Sequence, residues 1–256
     1  MRTLASAVLL AAAVVLARSA AAQQPAPARD TVALAASCPA RNPGTESVFQ
    51  EVLATSPPDS AIVRVGAGVS GILSVCHDLR ALGWLHEQIR REAPVNRPIA
   101  GRLLGLLQPF EEAGSVPQVH QDFLVELVRD GYTSGRDDSE PRPQRDLQSY
   151  ILEAVKRSLP DEAVTKLYFE LVGTDKLDPI FGEGRLIGHL TARRGDAFLG
   201  EFADLLAGRP DLVRDPDRWF YANQIVFGRP APPGSGAERL AKTLRDLEPV
   251  ARQVVR

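Results

Sequence analysis

The segment AIVRVGAGVSGIL, residues 61–73, decides how the rest of the chain is read. Gly66, Gly68 and Gly71 spell G-x-G-x-x-G behind an apolar run. Two folds compete for it. A dinucleotide fold needs a strand, the glycine turn, a helix, and then a second strand ending in an acid about 20 residues on. A helical fold needs only spacing. Ile62, Val65, Val69, Ile72, Cys76 and Leu79 follow helical spacing, and Ala67, Ser70, Gly71 and Ser74 form a stripe of small residues on another side. Such a stripe lets a neighbouring helix approach closely.

GAGVSGIL resembles the glycine-rich opening of flavin-binding oxidoreductases. The resemblance implies a first strand over Ile62, Val63 and Val65, a helix over 73–82, and an acid at Glu87 or Glu92. A flavin or nicotinamide cofactor would then lie on Gly66, Gly68 and Gly71. The next segment decides against it. GWLHEQIRREA, residues 83–93, is neither an apolar run nor an alternating one, and it reads as a polar helix. The later chain offers no set of strands for a parallel sheet. Each interior glycine costs a helix about 1 kcal/mol, which close packing offsets. The segment is therefore expected to be a helix, with no cofactor.

Helical spacing continues outward. In 147–159, Leu147, Tyr150, Ile151, Ala154, Val155 and Leu159 share one face. Val119, Phe123, Leu124, Leu127 and Val128 form another, as do Phe198, Phe202, Leu205 and Leu206. Leu240, Leu244, Leu247, Val250 and Val254 mark a last helix. Pro160-Asp161-Glu162 has the composition of a first turn. Gly131, Gly173 and Gly208 follow apolar runs as C-terminal caps do. The expected fold is all-α: stacked hairpins that resemble a HEAT- or armadillo-type α-solenoid, or an irregular helical bundle. It occupies 44–256, as one domain or as two halves divided at the polar link 132–146. A second link, 228–238, is rich in Pro and Gly and leads into the last helix.

The N-terminus has a different composition. Arg2, an apolar run from Leu4 to Leu16, and Ala20-Ala21-Ala22 before Gln23 have the layout of a secretory signal peptide over 1–22. The run is too short to span a bilayer, and no later segment is read as a span. Residues 23–43 read as a flexible leader. Export makes a disulfide between Cys38 and Cys76, the only cysteines, the expected state. The formal net charge is −2, and loss of Arg2 and Arg18 makes it more negative, so a nucleic-acid partner is excluded.

Candidate chemistry is sparse. His77, His86, His120 and His189 do not make a metal set: His86-Glu87 lacks the second histidine of H-E-x-x-H, and Cys76 is committed to Cys38. Gly68-Val69-Ser70-Gly71 misses the spacing of a hydrolase elbow. Asp137, Asp138 and Glu140 lack the alternation of a calcium loop. Trp219-Phe220-Tyr221 cannot all face one core. Trp219 and Tyr221 with Arg218, Arg193 and Arg194 are the expected binding surface, and Arg90-Arg91 is a solvated pair. The sequence thus predicts an exported, periplasmic or secreted, non-enzymatic helical scaffold that binds another envelope or secreted protein. The alternatives are an oxidoreductase using 66–71 or a hydrolase with a scattered site.

Overall fold

A computed structural model describes residues 38–55, 57–114, 116–133 and 143–255. The signal peptide, most of the leader, and Asp137, Asp138 and Glu140 lie outside the described residues. The fold is all-α, with no strand among the described residues.

The chain enters through a 3-10 turn, Pro39–Arg41, inside the stretch read as leader. The disulfide Cys38–Cys76, with Cα atoms 5.4 Å apart, ties this turn to the end of the second helix. Helix α1, Pro43–Ala54, begins where the Asn42 side chain accepts from the Gly44 and Thr45 N–H groups. Helix α2 is Asp59–Cys76, so the whole glycine segment is helical. It stops at His77, which takes the left-handed conformation at φ 54°. Asp78 then caps α3, Leu79–Glu92, by accepting from Arg80 N–H. Arg80 also reaches back to Glu46 of α1 and lies over the Phe49 ring, which fixes α1 against α3.

The middle of the chain comprises α4, Arg97–Gly105; the short α5, Gln108–Glu112; and α6, Gln118–Arg129. Helix α7, Pro143–Ser158, packs on α4, α5 and α6 before the 132–146 link and on α8 and α9 after it. Helix α8 is Asp161–Leu171, with Asp161 and Glu162 in its first turn. A π-helical turn, Pro179–Glu183, leads into α9, Gly184–Arg194. Helix α10 is Asp196–Gly208, a 3-10 turn follows at Pro210–Arg214, and α11 is Pro216–Val226. The last helix, α12, is Gly236–Ala251.

One hydrophobic cluster runs from Phe49 to Leu244. The most extensive helix contacts skip along the chain, α10 with α12 and α4 with α7, and sequence neighbours pack as well: α2 with α3, α3 with α4, α8 with α9, α9 with α10, and α11 with α12. The predicted faces are the buried ones. Leu147, Ile151, Ala154, Val155 and Leu159 are inside, as are Phe123, Leu124, Leu127 and Val128. Val119 and Leu79 are exposed: Val119 lies in the first turn of α6, and Leu79 begins a new helix rather than continuing α2.

One expectation needs correction. The 18-residue α2 is long and apolar enough, by length and composition, to cross a membrane. In the fold it packs against α3, α4 and α5, and Ile62, Val65, Val69, Ile72 and Leu73 are buried there.

Candidate functional site

Gly66, Gly68 and Gly71 sit within α2, and none has a positive φ. Their backbone N–H groups lie in the helix interior, where the helix ladder uses them, rather than at a free helix N-terminus that could take a pyrophosphate. The oxidoreductase geometry is therefore absent from this segment. What the glycine supplies is proximity. A Cβ on Gly66 would stand 2.7 Å from Leu103 Cδ2 and 3.2 Å from Leu106 Cδ1. One turn on, the Ser70 hydroxyl donates to the Leu106 carbonyl. The close approach thus runs through Gly66 and Ser70. The predicted stripe is displaced, because Ala67 faces solvent and Gly71 and Ser74 are only half-buried.

Two of the four histidines meet in the core. His86 Nε2 lies 2.8 Å from His120 Nδ1, and His120 Nε2 lies 3.0 Å from Glu111 Oε1. Glu111 Oε2 accepts from Arg157 Nε and Nη2 at 2.9 and 2.7 Å. Glu111, paired with Arg157, accepts from His120 Nε2–H, and His86 Nε2 and His120 Nδ1 share the second hydrogen bond. The chain joins α3, α6, α5 and α7. His86 is only 4 % exposed and stacks on Phe123 at 3.9 Å between ring centroids. Burial, then His120 and Arg90, push its pKa down to about 3. With their linking contacts spent on one another and on Glu111, the two buried histidines work as a structural clamp. Sequence reading missed the clamp because its four members come from four helices. The available signal was that His86 shares the spacing of Leu82, Leu85 and Ile89.

The other two histidines are separate. His77 is exposed beside the disulfide, and His189 Nε2 lies 3.3 Å from Asp161 Oδ1. Among the described residues no group of three or more His, Cys, Asp or Glu is placed to hold a metal ion.

The predicted binding surface does not assemble as a unit. Arg218 is 6 % exposed. Its Nε and Nη2 donate to Glu183 at 2.6 and 2.7 Å, and Nη1 donates to the Leu212 carbonyl at 3.0 Å. A buried guanidinium needs such a set of acceptors, and Glu183 on the π-helical turn supplies most of it. Tyr168 is fully buried nearby, where burial and then Glu183 raise its pKa. Trp219 is half-buried against the core. Tyr221 covers Gly184, where a Cβ would lie 3.1 Å from its ring. Arg193 and Arg194 are at the far end of α9, about 14 Å from Gly184 at the helical rise. Arg194 is bound to Thr165 and Glu201, and Arg193 to Asp161. Arg90 pairs with Glu126 and Arg91 with Glu92.

Among the described residues, the aromatics most open to solvent are Phe220 and Phe227, 56 % and 83 % exposed. Seven residues apart, they fall on one side of α11 and its C-cap. Gln224 between them is exposed and uncharged. Large apolar side chains grouped at a surface mark an interaction site more often than isolated ones do. Comparison with family models, with curated proteins and with solved structures returns no match.

Proposed function

We propose that the protein is an exported, non-enzymatic helical scaffold that docks another envelope or secreted protein through the outer side of α11. The observation that carries this reading is the pair Phe220 and Phe227, held on one side of a helix with no charged residue between them on that side. An aromatic anchor buries a large area at low entropic cost and is the commonest kind of interface hot spot. Trp219 and Tyr221 support the pair from beneath rather than forming the surface themselves. Helix-on-helix packing throughout the described residues supports a scaffold role, in which a helical surface binds without catalytic groups. The Cys38–Cys76 disulfide supports residence in an oxidising, exported compartment.

The test is crosslinked co-purification of the tagged chain from its own host, read by mass spectrometry against an untagged control and a Phe220→Ser/Phe227→Ser variant. One reproducible envelope or secreted protein, lost with the double variant, is expected. Equal recovery with both forms, or no enriched protein despite folded bait, would refute the reading.

A further inference from the structure

The link between α11 and α12 is a stiff, fully exposed arch. Every residue from Phe227 to Gly234 faces solvent. Each foot is a type II turn. At the first, Arg229 N–H donates to the Val226 carbonyl at 3.2 Å, with Phe227 at φ −63°, ψ 124° and Gly228 at φ 69°. At the second, Ser235 N–H donates to the Pro232 carbonyl at 3.0 Å, with Pro233 and then Gly234 at φ 81°. The second foot is anchored further. Gly234 N–H donates to Glu238 Oε2, and the Asp196 carboxylate accepts from Gly236 and Ala237 N–H at 2.8 and 3.0 Å.

Between the feet runs Arg229-Pro230-Ala231-Pro232. Proline fixes its own φ near −65°, and each residue before a proline is pushed to the extended region. Arg229, Ala231 and Pro232 each precede a proline, so the span is biased towards extended, polyproline II-like backbone. Pro230-Ala231-Pro232-Pro233 has the P-x-x-P spacing of a polyproline II ligand. Arg229 has no acidic partner among the described residues. A segment ordered before binding loses little entropy when it docks.

We propose that this arch is the docking element for a protein module whose aromatic-lined groove reads polyproline II. Pro230 and Pro233 fill the groove, and Arg229 meets a carboxylate at its end. Phe227, at the corner of the first turn, packs beside the groove. This inference rests on the scaffold reading and names the class of partner.

The test titrates the full chain against a panel of purified SH3 and WW domains by isothermal calorimetry. At least one domain is expected to bind. Pro230→Ala/Pro233→Ala and Arg229→Glu should each weaken that binding at least tenfold, with melting temperature unchanged. Binding by no domain, or equal binding by the variants, would overturn the inference. The host co-purification separates the two claims. A partner captured equally by wild type and by Pro230→Ala/Pro233→Ala removes the arch and leaves the scaffold. Loss of every partner from the wild type removes the scaffold, while the domain panel still reports on the arch.

Discussion

Replacing His86 by glutamine should flatten the dependence of stability on pH. In the fold the His86 imidazole is buried, stacked on Phe123 and hydrogen-bonded to His120, and its pKa is held at about 3. In the unfolded chain the group titrates at its ordinary value of 6.5. Below that value the unfolded state binds a proton that the folded state refuses, so stability rises with pH across the interval. The contribution is complete above about pH 6.5 and drains away as pH falls towards 3. At about 1.4 kcal/mol per unit, the loss between pH 7.5 and pH 5 is about 2 kcal/mol. Glutamine keeps an N–H that can reach His120 but does not titrate. The acids with lowered pKa values, Glu46, Asp78, Glu170 and Asp196, are common to both proteins and cancel in the comparison. Urea unfolding followed by tryptophan fluorescence at both pH values measures the difference, with the buried Trp84 as a probe. Wild type should lose about 2 kcal/mol more than His86→Gln. Parallel losses would show that His86 is solvated or charged in the fold, and the clamp would be wrong.

Three further outcomes rest on the packing. Glu183→Gln leaves Arg218 buried without its charge partner and should cost about 3–5 kcal/mol, whereas Glu183→Leu with Arg218→Met should recover much of it; urea midpoints of the single and double variants check this. Gly236→Ala drives a Cβ into the Asp196 carbonyl oxygen and to 2.6 Å from Gly200 N, so backbone must move on both sides. It should lower stability by about 3 kcal/mol or more, read by calorimetry; an unchanged melting temperature would refute the α10–α12 contact. Opening the 38-residue Cys38–Cys76 loop should cost about 4 kcal/mol in the chain-entropy model, measured as a lower urea midpoint under a phosphine reductant.

The helix faces were legible because burial there tracks local spacing. Leu147, Ile151, Ala154, Val155 and Leu159 show this in α7. Tyr150 shows where spacing stops. It is 39 % exposed and lies along the edge, where it covers Gly101 and Gly105 of α4. No pattern within either helix announces that pairing. Residues 61–73 satisfy both strand-turn-helix and helix locally, so the polar helix over 83–93 had to decide between them. The close contact of this segment moved to Gly66 and Ser70 because α4, Leu106 and Leu85 set the direction of approach. Arg218 was misplaced for a related reason. Beside three aromatics it looks like a surface anchor, but its partner Glu183 lies 35 residues away in sequence. The His86–His120–Glu111–Arg157 chain was invisible for the same cause. The exposure of Phe220 rather than Trp219 depends on how α11 is rolled, and the buried Arg218 and Ala222 fix that roll.

The most direct test of the scaffold reading places a photo-crosslinking benzophenone residue at Phe220 and, in a separate protein, at the exposed Val119 on α6. Both are expressed in the native host and irradiated. A discrete adduct with one envelope or secreted protein from position 220, absent from position 119, is the predicted result. The same adducts from both positions, or none from position 220, would contradict the claim that the outer side of α11 is where this protein meets its partner.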